Sequence, residues 1–319
     1  MKVYSIQNRK GGVGKSETAI NLSVECGKAG LRTLLVSLDP QSNSTNRILK
    51  QPRKHSKDAL VSLKNRYDEL CQLDPSSEEM NAFQALHEYV RKPEFKYDAY
   101  DVLLEPKLIT ETILKSEYEN LWVLPSSNRL GDADLDLQKS GKNPSGRLRR
   151  ALDFVEDQFD IVIIDNAPFE SSLTYNSMCA CYREGDMILI PIKIDEGGFE
   201  GLDLTLETLF DWLETEPVDY DFKIVITMKD RGKVDEYAID AIRYLFKDRV
   251  YQQVIRYQPT PVKDCSIRSE VLVEKSNKNV ALDYKAFCKE VIAEIKGNNV
   301  ESKNAIEIRN LSKMYKLYN

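Results

Sequence analysis

Long apolar runs, histidine clusters and CxxC cysteine pairs are all missing from this sequence. No stretch approaches the ~18 consecutive apolar residues that a membrane-spanning helix needs. Only two histidines are present, which leaves little scope for histidine-based catalysis or a histidine-rich metal site. The six cysteines are scattered, and Cys179-x-Cys181 has the wrong spacing for a zinc knuckle, so we expect reduced, buried thiols. Glycine and proline, at 14 and 12 residues, are too scarce for a collagen-like or low-complexity chain.

An excess of positive charge is also missing. The chain has 45 basic and 51 acidic residues and a net charge of −6, whereas a protein that binds nucleic acid through its overall charge is basic. Any contact with DNA must therefore come from a local basic patch. The 42% hydrophobic and 30% charged residues suffice for a large core with a solvated surface. Because the N-terminal residues lead into a strand-like segment rather than a signal peptide, we expect a cytoplasmic protein.

Short aliphatic runs alternate with amphipathic stretches, which predicts an α/β fold with a mostly parallel, twisted sheet and helices on both faces. Ile161-Val162-Ile163-Ile164 is apolar at every position, as expected for a central strand that is covered on both sides. The predicted strands are 3–7, 33–38, 121–125, 161–165, 187–192 and 223–228. The predicted helices are 16–29, 146–158, 201–213, 234–246 and 283–295.

The length of 319 residues fits one such domain with appendages. We assign residues 1–296 to a single domain and residues 297–319 to a C-terminal tail. Residues 50–100 interrupt the alternation of strands and helices. They begin with a basic stretch and continue with apolar residues at helical spacing, namely Leu60, Leu63, Tyr67 and Leu70. We interpret this stretch as a helical insertion whose hypothetical role is to tune contacts with a second copy or another partner.

The segment Lys10-Gly11-Gly12-Val13-Gly14-Lys15-Ser16 directly follows the first predicted strand and opens the first predicted helix. Glycines let backbone N–H groups converge on a phosphate, and a helix N-terminus adds unpaired amides and its positive dipole end. Lys15 supplies a charge for the β- and γ-phosphates, and the Ser16 hydroxyl is a natural Mg²⁺ ligand. The pattern predicts a nucleotide-binding loop, and with it a fold like that of the P-loop NTPases.

A second element of the predicted site is an aspartate at the end of the central strand. Asp165 ends the apolar run 161–164. In a doubly wound sheet, the carboxyl ends of the strands line the crevice where ligands bind. We interpret Asp165 as the Walker B residue, which contacts Mg²⁺ through water.

The phosphate loop departs from the ordinary pattern, since Arg9 stands where a glycine is usual and Lys10 precedes the glycine pair. This is the deviant Walker A form, and here the sequence resembles the ParA/MinD family of ATPases, specifically the ParA DNA-partitioning branch. The likeness continues through Ser37-Leu38-Asp39-Pro40-Gln41, Asp165-Asn166-Ala167-Pro168 and Leu189-Ile190-Pro191. It covers nearly everything except residues 50–100 and the tail.

The resemblance implies roles for further residues. Lys10 would reach across a nucleotide-sandwich dimer to the phosphates of ATP bound by the partner subunit. Asp39 would position the attacking water and help to hold Mg²⁺, so that Lys10, Lys15 and Asp39 form the expected catalytic set. Glu17 would lie beside the nucleotide, where it replaces a common threonine, and Ser37 replaces a common aspartate. The adenine-contacting positions map to Met228 and to Pro259-Thr260-Pro261, a segment that equally fits a rigid turn.

The function that the resemblance implies is DNA segregation. ATP would drive homodimerisation, and the dimer would bind DNA without sequence preference. A centromere-binding, ParB-like adaptor would stimulate slow, Mg²⁺-dependent hydrolysis and release the ATPase from the nucleoid, so that plasmid or chromosome cargo moves. With no helix-turn-helix ahead of the first strand, we do not expect sequence-specific operator binding. The candidates for the basic DNA-binding patch are Arg243, Lys247, Arg249, Arg256 and Arg268.

Two other functions of the same loop type remain open. A MinD-like, membrane-associated positioning ATPase needs an amphipathic tail, and residues of the tail fall near helical spacing, namely Ile308, Leu311, Met314 or Tyr315, and Tyr318. The same pattern would serve a helix that docks on its own domain, so we expect no membrane partner. An iron–sulfur carrier needs thiolates at a subunit interface, and Cys179-x-Cys181 is the only pair on offer.

Overall fold

The computed structural model describes residues 1–50, 57–90, 95–139, 143–215 and 221–297. The strands in these ranges are β1 (Lys2–Ile6), β2 (Thr33–Leu38), β3 (Leu114–Lys115), β4 (Leu121–Leu124), β5 (Ile161–Asn166), β6 (Met187–Lys193) and β7 (Asp221–Thr227). They form one seven-stranded sheet in the order β3-β4-β2-β5-β1-β6-β7. All neighbours are parallel except β3, which pairs antiparallel with β4 at one edge.

Helices cover both faces of the sheet. Their bounds are α1 (Lys15–Lys28), α2 (Asn43–Ile48), α3 (Lys57–Leu73), α4 (Glu78–Val90), α5 (Ala99–Leu104), α6 (Ile109–Thr112), α7 (Ala133–Lys139), α8 (Arg147–Asp153), α9 (Ser172–Ala180), α10 (Glu196–Thr215), α11 (Lys233–Phe246), α12 (Pro259–Ile267), α13 (Leu272–Lys275) and α14 (Asn279–Ile295). Val162 and Ile164 join the core under α5 and α7–α11, while Ile161 and Ile163 join the core under α1, α2 and α12–α14. The alternation of strand side chains therefore supplies two cores, one on each face.

The strand order brings the predicted site residues to one edge. β5 lies between β2 and β1, and Asp165 is in register with Ser37 of β2 and Ile6 of β1. The loop after β1 carries the glycines, and Asp39 directly follows β2. Because parallel strands end at the same edge of a sheet, three segments that are distant in sequence meet there.

The predicted fold class is confirmed, with each predicted strand present within two residues of its expected ends. The prediction missed β3, because a two-residue edge strand has no alternation to detect. It also began α10 at Gly201, whereas the helix begins at Glu196 and includes the glycine pair 197–198. Glycine is a poor helix former, so the sequence did not predict that the first turn of α10 is helical.

The insertion contains a helical hairpin. α3 and α4 pack against each other, with an ion pair between Arg66 and Glu88 and a hydrogen bond from the Tyr67 hydroxyl to Glu78. The hairpin matches the predicted helical insertion, and the boundaries of the domain stay a prediction. The predicted tail, apart from Gly297, lies outside the described residues. Within the described ranges, no helix combines the length and apolar character needed to cross a membrane.

Candidate nucleotide-binding site

The glycine-rich loop is held open by its backbone conformation and by β7. Gly14 has φ +89° and precedes α1, whose first turn has no side-chain cap. A Cβ at Gly14 would lie 3.5 Å from the Tyr284 hydroxyl and 3.7 Å from Met228 Cε. The Thr227 hydroxyl donates to the carbonyl of Val13 at 2.8 Å, which fixes the loop to the end of β7. The uncapped amides of α1 are therefore directed at a loop that suits an anion.

Asn8 fixes the start of the loop. Its Nδ2 donates to the carbonyl of Pro191 at 2.8 Å, and its Oδ1 accepts a hydrogen bond from the amide of Lys10 at 2.7 Å. A Cβ at Gly201 on α10 would lie 2.6 Å from Asn8 Oδ1 and 2.6 Å from Lys10 Cβ. This close approach is the reason that α10 has a glycine at that position.

Lys15 lies inside the site. Its side chain folds back so that Nζ donates to the carbonyl of Lys10 at 2.8 Å, and the residue is 7% exposed. Burial lowers the pKa of Lys15 to about 8, while the carboxylates of Asp165 and Asp39 act in the opposite direction. The ammonium group thus lies between the phosphate loop and two acidic side chains.

Asp165 is fully buried, and neither of its carboxylate oxygens accepts a hydrogen bond from a described residue. Burial raises the pKa of Asp165 to about 7, and the Asp39 carboxylate adds to the rise. The hydroxyls of Ser44 and Ser16 and the Lys15 ammonium lower the pKa, although neither hydroxyl is placed for a well-formed hydrogen bond. Two unpartnered buried oxygens beside Ser16 fit a hard cation such as Mg²⁺, which binds few protein ligands and keeps several waters.

A cluster of hydroxyl groups holds Asp39. Asp39 Oδ1 accepts from the amide of Gln41 at 2.8 Å, and its carbonyl accepts from the Ser126 hydroxyl at 3.0 Å. The Ser37 hydroxyl lies 2.7 Å from that of Ser126 and accepts from that of Ser44 at 3.0 Å. Ser37, which replaces the expected aspartate, therefore supports Asp39 through neutral hydrogen bonds. The sequence did not indicate Ser44 or Ser126, since isolated serines carry no pattern.

Comparison with known proteins identifies the family. The sequence model of the AAA_31 family, described as an AAA domain, matches residues 1–224. The chain belongs to the AAA_31 family. This AAA_31 protein is 28% identical over 258 residues to the sporulation initiation inhibitor protein Soj of Bacillus subtilis, covering 80% of this chain and 83% of Soj. It is 27% identical over 258 residues to the chromosome partitioning protein ParA of Myxococcus xanthus, covering 80% and 75% of the two chains.

These relatives confirm the predicted resemblance to ParA-type ATPases. The fold is also similar to that of a solved ATP complex of a Cyanothece McdA variant. The TM-score is 0.69 at 17% identity, with 95% of this chain and 99% of the other covered. At this level of identity, the likeness shows a common fold.

Lys10 of this AAA_31 protein is exposed and lies across the first turn of α10. A Cβ at Gly197 would come within 2.7 Å of Lys10 Nζ. The side chain therefore occupies the groove that the glycines leave open in a single chain. Its predicted role toward a partner's nucleotide stays a prediction.

The predicted adenine-contacting residues lie on two segments, of which the one that contains Met228 approaches the phosphate loop. Met228, at φ +54°, is the first residue after β7 and approaches Gly14. The next residue, Lys229, exchanges backbone hydrogen bonds with Ile255 and Tyr257, which brings the 257–261 segment alongside. Pro259 and Pro261 form the first turn of α12 and line a pocket of ≈ 580 Å³ together with Cys265, Arg268 and Glu270. That volume is typical of a small-ligand site.

The five candidate DNA-binding residues differ in exposure and in their ion-pair partners. Arg249 is 8% exposed, pairs with Asp221 and stacks on Phe222, so its charge is neutralised inside the chain. Arg256 pairs with Asp283 at 2.6 Å. Residues 249–256 run along β7, which separates these two arginines by roughly 20 Å at 3.3 Å per residue. The contribution of the five residues to a DNA-binding patch stays a prediction.

The other three basic candidates have different environments. Arg243 donates to the carbonyl of Gln252 at 2.7 Å, and Lys247 is exposed at the end of α11. Arg268 is exposed and lines the pocket near Pro259. Lys247, Arg256 and Arg268 are exposed, Arg243 is half-buried and Arg249 is buried.

Glu17 forms an ion pair, and the cysteines are free thiols of which five are buried, as predicted. The Glu17 carboxylate pairs with Arg47 of α2, a partner that no sequence pattern indicated. Cys179 and Cys181 are both buried, and burial raises the pKa of the Cys181 thiol well above its usual range. Buried thiols of this kind do not suit an iron–sulfur carrier. The described residues contain no group of three or more His, Cys, Asp or Glu side chains arranged for a metal ion.

Proposed function

We propose that this AAA_31 protein is a DNA-partitioning ATPase that binds ATP with Mg²⁺ and cycles between a monomer and an ATP-dependent dimer on DNA. The observation that carries the proposal is the meeting of Lys15, Asp39 and the unpartnered Asp165 carboxylate beside the uncapped end of α1. The relatives named Soj and ParA support partitioning as the process.

In the proposed site, the chain's own residues act mainly by position and charge. The amides of Gly11–Ser16 and the Lys15 ammonium bind the phosphates. Ser16 and Asp165 would hold Mg²⁺, with Asp39 nearby; the bound ion would neutralise charge that develops on the phosphate oxygens. Asp39 orients the attacking water through its free oxygen positions while the hydroxyl cluster keeps its backbone in place.

The predicted adenine contacts complete the nucleotide site. Met228, Pro259 and Pro261 would provide apolar walls for the base, since Met228 approaches Gly14 and the two prolines line the pocket. The exposure of Lys10 supports its proposed movement to a partner's phosphates.

The further steps of the proposed cycle follow the resemblance. The ATP dimer binds DNA without sequence preference, and a ParB-like adaptor stimulates hydrolysis. The DNA contacts should come from exposed cations such as Lys247 and Arg268 rather than from Arg249. DNA binding of this kind weakens steeply as the salt concentration rises.

Gel filtration with ATP, ADP or no nucleotide, with and without non-specific DNA, tests the proposal. Lys15→Ala should abolish ATP binding, whereas Lys10→Ala should bind ATP but form no dimer and hydrolyse none. Asp39→Ala should form an ATP dimer that stays on DNA. A wild-type protein that remains monomeric with ATP, or a Lys10→Ala protein that dimerises normally, would contradict the proposed cycle.

A further inference from the structure

A buried arginine joins three segments around the site. Arg47 lies on α2, which begins shortly after Asp39, and it is 3% exposed. Its guanidinium pairs with the Glu17 carboxylate through Nη1 and Nη2. Its Nε and Nη2 donate to the carbonyl of Glu270 at 3.1 and 2.9 Å. One side chain therefore connects α2, the first turn of α1 and the α12–α13 connection.

The α12–α13 connection is also held by a second bond from α1. Asn21 Oδ1 accepts from the amide of Val273 at 3.0 Å, and Asn21 Nδ2 donates to Glu17 Oε1 at 2.8 Å. Glu270 and Cys265 line the ≈ 580 Å³ pocket in which Pro259 and Pro261 lie. Arg47 thus holds the pocket-lining residue Glu270, and Asn21 holds the same α12–α13 segment at Val273.

The chemistry of this contact requires arginine. A guanidinium is planar and presents several N–H groups in a fixed fork, so it can bind a carboxylate and a carbonyl together. A lysine ammonium can neutralise Glu17, but as a compact point charge it does not reproduce this fork. Replacing Arg47 with lysine therefore keeps the neutralisation of Glu17 but removes the hydrogen bonds that hold the pocket wall at Glu270.

We propose that Arg47 is a positioning residue that couples the base-side pocket wall at Glu270 to the phosphate-loop helix, and thereby sets the preference for a nucleoside triphosphate over a bare triphosphate. The inference rests on the proposed nucleotide site and adds to it a residue outside every sequence motif. Arg47 touches neither the phosphates nor the base; it acts through Glu270 and Glu17.

The test compares Arg47→Lys with the wild type by isothermal titration, using a non-hydrolysable ATP analogue and inorganic tripolyphosphate, each with Mg²⁺. Arg47→Lys should bind the analogue about tenfold more weakly, which is roughly the effect of losing the hydrogen bonds from Arg47 to the Glu270 carbonyl. Its affinity for tripolyphosphate should change less than about twofold, since Glu17 remains neutralised. The double variant Glu17→Gln with Arg47→Met leaves no unpaired buried charge and should show the same loss of preference for the analogue over tripolyphosphate. It provides the test if Arg47→Lys does not fold.

Arg147→Lys is the matched control. Arg147 is also 3% exposed and also donates to backbone carbonyls, those of Leu103 and Leu104, but it lies on α8 away from the pocket. This control should leave both affinities unchanged. Equal losses for both probes in Arg47→Lys, or no loss for either, overturn the inference while the proposed function stands. Failure of the wild type to bind either probe overturns the proposed function and the inference with it.

Discussion

Replacing Asp165 with asparagine should stabilise the nucleotide-free protein while abolishing ATP hydrolysis. The carboxylate is fully buried without a hydrogen-bond partner among described residues, and burial raises its pKa from 3.8 to about 7. One pKa unit corresponds to about 1.4 kcal/mol, so this difference of about three units makes the ionised group cost about 4 kcal/mol of folding free energy. An unpartnered charge at a binding site is retained for its ligand and not for stability.

The dependence on pH follows from proton linkage. A carboxyl group whose pKa is higher in the folded protein binds its proton more tightly there than in the unfolded chain. The penalty is therefore absent below about pH 4, grows between pH 4 and pH 7, and is complete above pH 7. Asparagine has nearly the same shape without the charge. Because Lys15 loses a counter-charge in the variant, the net gain at pH 8 should be about 2–4 kcal/mol.

Urea unfolding of nucleotide-free wild type and Asp165→Asn at pH 8, 6 and 4.5 measures the effect. Asp186→Asn is the control, since burial also raises the pKa of Asp186, to about 6, but its carboxylate accepts hydrogen bonds from the amides of Val3, Tyr182 and Arg183. That variant should lose stability, because an asparagine cannot accept all of these bonds. If Asp165→Asn is no more stable than the wild type at pH 8, the carboxylate is compensated in the free protein and the reasoning is refuted.

The remaining predictions concern the same site. Because burial lowers the pKa of Lys15 to about 8, affinity for an ATP analogue should fall about tenfold from pH 7 to pH 9; a flat calorimetric profile would contradict this. Gly201→Ala should destabilise the protein by about 1–3 kcal/mol and weaken nucleotide binding, since its Cβ would overlap Asn8 and Lys10. Gly131→Ala, whose Cβ meets nothing within 4 Å, is the control, and equal melting temperatures for both variants would refute the packing argument. Ser126→Ala should lower kcat with little change in analogue affinity, because its hydroxyl holds the Asp39 carbonyl. Ser23→Ala, which removes a buried hydroxyl within α1, should leave kcat unchanged, and similar kcat losses in both would oppose a specific role for Ser126.

The fold and the core of the site could be predicted because their signals are local. The run 161–164 shows that its strand is covered on both faces, and the loop Lys10–Ser16 has its glycines, its lysine and its hydroxyl within a few residues. Asp165 and Asp39 were found because each ends a recognisable strand. The parallel fold then requires these strand ends to share one edge.

Only the tertiary structure decided which distant groups become partners. Glu17 and Arg47 are far apart in the sequence, and so are Ser37 and Ser126. The two arginines Arg249 and Arg256 are close in sequence, yet each pairs with a different carboxylate and they lie far apart along β7. Periodicity reports how deeply a segment is buried but not which side chain it meets, because strand order and loop paths determine those contacts. The sequence by itself therefore determined the phosphate chemistry, and the arrangement of the sheet determined the residues that hold it in place.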